Sequence, residues 1–215
     1  MPKDLQGLFP ILMSGMLILG ICIFSILKFR QWNGPPLAAG LLMAAGYVAW
    51  LVRETRISLR DKKAGRTEQD KGSLEWYALS QGGVILSALG FSSLWSGMDI
   101  RIIFGPLLFV AGVFFRQWAV RELGSFYSHR VRIQGEHRII QSGPYRFVRH
   151  PAYSGMILAH VGVVMFFGNL PGLFFLVLLI ASIVSRIGVE EAALSPLDGY
   201  VDFCEGKKRL IPFVW

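Results

Sequence analysis

Apolar positions along this chain gather into long, nearly unbroken runs separated by short polar segments, instead of forming the one-sided stripes of a soluble helix. Four runs approach the length of a membrane crossing: Leu8 to Leu27, Pro36 to Val52, Trp76 to Trp95 and Ile102 to Val120. A bilayer core of about 30 Å takes roughly 20 helical residues, with about 17 tolerated. A fifth region, Ala152 to Ile187, is too long for one helix and is interrupted by GNLPG at Gly168 to Gly172, which predicts a helical hairpin. The run from Leu8 exceeds the roughly 7–15 residues of a signal-peptide core, and no A-x-A-like site follows it, so it is expected to span. The pattern predicts an all-α integral membrane fold: about four transmembrane helices followed by a transmembrane helical hairpin.

Composition agrees with that pattern. The 215 residues are 53% hydrophobic and 17% charged, with mean hydropathy +0.48, against about a quarter charged in soluble domains. The net charge of +8 raises the question of nucleic acid, and its distribution answers it. With the N-terminus cytoplasmic, that face receives Lys3, seven basic residues over 53–71, six over 121–149 and four over 186–209. The opposite face receives Lys28, Arg30 and Arg101, while Arg116 lies inside a run. This is positive-inside bias, with attraction to anionic membrane lipid as a consequence. No nucleic-acid partner is expected. Both termini are placed in the cytoplasm, at the inner membrane of a bacterium or the endoplasmic reticulum of a eukaryote. The two cysteines, Cys22 and Cys204, predict neither a disulfide nor a metal site.

The chain divides near Arg101. Residues 1–100 hold N-terminal helices and a basic loop, Arg53 to Glu75, expected to be solvated and to carry little chemistry. Residues 101–215 concentrate polar groups at the cytoplasmic edge, on both sides of the hairpin. The hairpin returns the tail to the same face, so SGPYRFVRHPAYSG (Ser142 to Gly155) and the segment after Val189 are expected to converge. Gly143-Pro144 reads as a tight turn. Arg149-His150-Pro151 reads as the start of a new helix, with Gly155 leaving room for a ligand or a neighbouring helix. The doublet Glu190-Glu191 could hold an ammonium group. Arg116, costly inside a span unless it snorkels or finds a partner, could hold a carboxylate or phosphate.

HRIIQSGPYRFVRHPAYSG, His137 to Gly155, resembles the signature of the isoprenylcysteine carboxyl methyltransferase family, itself similar to the phospholipid N-methyltransferases. Arg116, Gly124, His129 and Val131 upstream fit the same pattern, as do Glu190-Glu191, Tyr200, Arg209 and Pro212 downstream. The link SPLDGY before Tyr200 is shorter than the family's, and Phe203 stands where a second tail tyrosine is usual. The resemblance implies a methyltransferase core over 101–215 that takes its methyl group from S-adenosyl-L-methionine. By the same resemblance, His137, Ile139, Ile140, Gly143, Tyr145, His150, Tyr153 and Gly155 form most of the cofactor pocket, and Glu190 and Glu191 complete it. The tail closes over the cofactor at the cytoplasmic side, and a lipidic or amphipathic small molecule enters from the bilayer.

Methyl transfer from a sulfonium is an in-line displacement governed by positioning and electrostatics. A carboxylate or thiolate nucleophile needs a cationic partner, for which Arg116 and Arg209 are the catalytic candidates, with Arg116 and His129 toward the substrate. An amine would need a proton acceptor, His129 or Glu191. The readings are therefore carboxyl methylation of a prenylcysteine-like acceptor first and N-methylation of a phospholipid or amphipathic amine second. A sterol-reductase-like NADPH enzyme and a non-catalytic membrane scaffold follow.

Overall fold

A long apolar run leaves the backbone no polar partner but itself, so it folds as a helix. The computed structural model describes residues 3–63, 73–94, 99–128 and 139–215, and all regular structure among them is helical. The elements are α1 (Lys3–Phe29), α2 (Gly34–Lys63), α3 (Ser73–Gly90), α4 (Arg101–Leu123), α5 (Pro151–Phe167), α6 (Leu170–Leu194) and a short α7 (Tyr200–Cys204). Two 3-10 turns lie at Gly124–Phe126 and Gly143–Arg146. Four helical segments are long and apolar enough to cross a membrane: Leu12–Phe29, Gly34–Ile57, Arg101–Phe126 and Leu170–Leu194. Pro151–Phe167 is a shorter apolar helix.

Two expectations are corrected. The span expected over Trp76 to Trp95 is helical only to Gly90, and α3 is not among the four long apolar segments. Ser80, Gln81 and Ser87 lie on it and are buried against the protein. The loop expected from Arg53 begins much later, because α2 continues to Lys63 and buries Glu54. Residues 64–72 of that loop lie outside the described residues.

The GNLPG break does form a hairpin turn. Gly168 ends α5 in the left-handed region at φ 51°, where a side chain would be strained. Asn169 caps α6, its Oδ1 accepting from the Gly172 amide at 2.8 Å. Its Nδ2 donates to the carbonyls of Ser87 and Ala88 on α3 at 3.1 and 3.2 Å, which ties the turn to the N-terminal half.

The two arms of the hairpin pack mainly on other helices, α5 against α4 and α6 against α3. The α4–α5 seam is made by small residues, Gly105 and Gly112 one heptad apart on one side and Gly155, Ala159 and Gly162 on the other. A methyl group on Gly155 would lie 2.5 Å from the Arg116 amide nitrogen, and one on Gly162 would lie 2.5 Å from that of Phe109. Such backbone contact lets dispersion hold helices that gain little from hydrophobicity in lipid. His160, fully buried, bonds the Tyr47 hydroxyl at 3.0 Å and so joins α5 to α2. One apolar core runs through α1 to α6.

Candidate active site

The tight turn and helix start read from SGPYRFVRHP are both present. Gly143, at φ 57°, opens the 3-10 turn, and Pro151 opens α5 with His150 at its N-cap. After the turn, the backbone of Arg149 and His150 is pinned by the tail: their amides donate to the carbonyls of Lys208 and Arg209, each at 2.9 Å. Ser154 Oγ adds a bond to the Leu210 carbonyl at 2.6 Å. The tail therefore lies as a strap across the start of α5.

The end of α6 meets that strap. His150 sits between the two carboxylates of the doublet, with Nε2 3.3 Å from Glu191 Oε1 and Nδ1 3.6 Å from Glu190 Oε2. Burial pulls the His150 pKa down, but the bonds and charges of both carboxylates outweigh it and hold it above the ordinary value. Glu191 is further gripped by Arg149 Nη1 at 2.9 Å and by a two-pronged contact from Arg209, with Nη2 at 2.6 Å. Glu190 instead accepts from the Tyr153 hydroxyl, which in turn accepts from Arg186 Nε at 2.9 Å. Arg186 is 2% exposed and also donates to Ser73 Oγ at 3.0 Å.

Beside this polar cluster lies a cavity of about 150 Å³. Its polar side is formed by His150, Tyr153, Glu190, Arg186, Tyr77 and Arg116, and its apolar side by Leu74, Leu123, Phe126, Ile139, Ile140 and Leu194. Tyr145, Tyr200 and Phe203 add aromatic faces. One end of the cavity can thus hold charge while the other meets hydrocarbon, the pattern of an amphipathic-ligand site.

The expected site residues separate into groups. Ile139, Ile140, Tyr145, His150, Tyr153, Glu190 and Arg116 border one cavity. Gly143 lies outside its lining and backs onto Glu122, while Gly155 is spent on the helix seam beside Arg116. Glu191 and Arg209 form the clamp on the tail, also outside the lining. His129 and His137 lie outside the described residues.

Arg116 has a partner that the sequence reading passed over. Its Nε and Nη2 bond both oxygens of Glu54 at 3.0 and 2.8 Å, Nη2 also reaches the Tyr127 hydroxyl at 2.9 Å, and Nη1 donates to the Ala152 carbonyl. Trp50 Nε1 and Gln117 Nε2 also donate to Glu54, at 2.8 and 3.0 Å. Four of the five guanidinium N–H groups are thereby committed to the protein itself. The signal was available: Tyr47, Trp50 and Glu54 share one face of α2, and a buried arginine in one span calls for an acid at matching depth in another. Arg186, with Glu190 one turn later, was likewise counted only as surface charge.

Comparison with known proteins bears on this geometry directly. Residues 104–196, from α4 to the end of α6, match the model of the isoprenylcysteine carboxyl methyltransferase (ICMT) family. This segment of the chain is therefore similar to the ICMT family. Protein-S-isoprenylcysteine O-methyltransferases B and A of Arabidopsis thaliana are each 30% identical over 116 residues, 52% of this chain and 59% of theirs. A probable protein-S-isoprenylcysteine O-methyltransferase of rice (Oryza sativa subsp. indica) is 31% identical over 115 residues, 51% of this chain and 60% of its own. The chain thus spans about three fifths of the length of the curated relatives it matches. The matched segment supplies His150, Tyr153, Glu190 and Arg186 to the cavity lining, whereas Tyr77 and Leu74 come from a helix before it.

Proposed function

We propose that this protein is a membrane-embedded methyltransferase that uses S-adenosyl-L-methionine to methylate the carboxylate of a lipidic acceptor resembling an isoprenylcysteine. The observation that carries the reading is the cavity itself: residues of the ICMT-family segment set a carboxylate–histidine–tyrosine cluster against an apolar wall. The chemistry of these residues suits the donor. Glu190 can receive its ammonium group, and the faces of Tyr145 and Tyr153 suit a sulfonium cation. When bound, the donor supplies an electrophilic methyl group, whose C–S electron pair returns to sulfur as the acceptor oxygen bonds to carbon.

The electrostatics favour a carboxylate acceptor over an amine. An amine must lose a proton to a nearby base, yet Glu191 is held by three cationic groups and Glu190 by Tyr153 and His150. His150 is itself biased toward its protonated form. A carboxylate needs no base, only donors to fix it. The cavity, at about 150 Å³, is well below the roughly 300–1,000 Å³ of ligand pockets, so binding requires a wall to move.

The charge distribution supports placing both termini, the strap and the cavity mouth at the cytoplasmic face. The test of the reading is calorimetry in detergent with S-adenosylmethionine and S-adenosylhomocysteine, followed by transfer of labelled methyl to an N-acylated S-isoprenylcysteine. Heat with both compounds and a labelled methyl ester are expected. Folded protein that gives no heat with either compound removes the reading.

A further inference from the structure

Within the cavity most polar groups already have partners in the protein. Arg116 is committed to Glu54, Tyr127 and Ala152, Tyr153 to Glu190 and Arg186, and Arg186 also to Ser73. Tyr77 differs. It is 5% exposed and borders the cavity, and its hydroxyl has no hydrogen-bond partner among the described residues. A buried hydroxyl without a partner is disfavoured enough that native proteins rarely keep one without a reason.

Position gives the reason a direction. Tyr77 lies on the first turns of α3, one turn after Leu74, which lines the apolar part of the same cavity, while its neighbour Trp76 is 68% exposed. The ring packs edge-on to Tyr153 at 6.3 Å between centroids, and the Arg186 guanidinium carbon lies 5.8 Å from its centre. Arg116, Glu54, Arg186 and Glu190 are the charged groups that act on its hydroxyl. The uncommitted donor thus sits where the apolar wall meets the charged cluster. The carboxylate end of a lipid-borne acceptor would have to stop at that boundary. Tyr200, the other cavity-lining tyrosine whose buried hydroxyl has no oxygen or nitrogen partner among the described residues, has Cys204 beside it and stands on the tail instead.

We infer that Tyr77, which lies outside the ICMT-family segment, is the positioning residue for the acceptor carboxylate, its hydroxyl donating a hydrogen bond that fixes the oxygen for attack. This rests on the methyltransferase reading and adds to it a substrate contact from the N-terminal helices. A hydroxyl can supply this bond by donation alone. No proton is transferred in the step.

The test compares the full chain with Tyr77→Phe in detergent, measuring affinity for S-adenosylhomocysteine, thermal stability, and kcat and KM for an N-acylated S-isoprenylcysteine. The variant should keep cofactor affinity within about twofold and lose about ten- to a hundredfold in kcat/KM for the acceptor, the range for a hydrogen bond to a charged group. The acceptor analogue with hydrogen in place of the carboxyl group, used as an inhibitor, should bind the parent and variant with the same affinity. Acceptor kcat/KM within threefold of the parent would overturn the inference and mark the hydroxyl as one held by buried water. Equal losses for the carboxylate and the analogue without a carboxyl group would also overturn it, by showing a packing effect. A parent protein that neither binds S-adenosylhomocysteine nor transfers methyl defeats the methyltransferase reading instead, a result separate from any change between parent and variant.

Discussion

Breaking the Glu54–Arg116 pair should cost stability before it costs catalysis. Arg116 is 1% exposed and Glu54 7%, and the two share a two-pronged contact at 2.8 and 3.0 Å. Arg116→Met leaves Glu54 buried beside the neutral donors of Trp50 and Gln117. Removing one partner of a buried pair costs about 3–5 kcal/mol, against a total of about 5–15 kcal/mol for a typical fold. Glu54→Gln strands the arginine and should cost a similar amount. The double variant loses both charges together, so its cost should fall below the sum of the singles by about 2–3 kcal/mol. Unfolding curves in mixed micelles with increasing dodecyl sulfate give the four corners of this cycle. Single variants within about 0.5 kcal/mol of the parent, or strictly additive losses, would refute the pairing as the main duty of Arg116. Methyl-transfer rates must be normalised to folded protein, since an unfolded Arg116 variant would otherwise mimic a lost substrate contact.

Glu190→Gln should weaken S-adenosylhomocysteine binding about ten- to a hundredfold, whereas Glu191→Gln should leave affinity nearer the parent but speed hydrogen exchange at the Arg149 and His150 amides; calorimetry and exchange mass spectrometry check the two. His150 has its pKa raised in the folded state, so its contribution to stability is complete below its ordinary 6.5 and fades as pH climbs through the raised value. Denaturation midpoints measured across that window should fall for the parent, and His150→Asn should flatten the fall. With the termini cytoplasmic, a cysteine at Leu170, which is 63% exposed beside the hairpin turn, should react with an impermeant reagent from outside and one at Lys207 only after permeabilisation; the reverse labelling would invert the topology.

The helices were legible because run length and the Gly168–Gly172 break act locally, through hydration of the backbone and loss of helix propensity. The convergence of His150 with Glu190 and Glu191 followed from the parity of a hairpin, which is topology and not contact. Partner choice was harder to read. The face of α2 that carries Glu54 offers Arg116 an acid, but a ligand carboxylate would satisfy the same guanidinium, and the packing of α2 against α4 decides between them. Gly155 shows the same ambiguity in steric form, since the absent side chain admits a ligand or a helix and the structure places the Arg116 backbone there. Tyr77 carries no motif that would single it out in the sequence. Its missing hydrogen bond is visible only once the neighbours are in place.

The carboxylate doublet explains how cavity and strap are linked. Successive residues of an α-helix point about 100° apart, so Glu190 and Glu191 cannot face one ligand equally. Glu190 turns toward Tyr153 and the cavity, while Glu191 turns toward Arg209 and the tail. His150 stands between them, near Glu190 with one ring nitrogen and near Glu191 with the other. A cation arriving beside Glu190 competes with His150 for that carboxylate and leaves the imidazolium more dependent on Glu191. Glu191 is also what holds Arg209, and the backbone of Arg209 accepts the His150 amide bond. Charge entering the cavity therefore reaches the strap through a single ring and two adjacent side chains, with no movement of the helix seam. This makes the His150 pKa a reporter of occupancy: it should fall toward its ordinary value when a cationic ligand sits on Glu190, and in Glu190→Gln it should fall without any ligand. Titration of the ring by NMR, in the presence and absence of S-adenosylmethionine, measures that shift; an unchanged pKa on saturation would mean that Glu190 does not receive the ligand's charge.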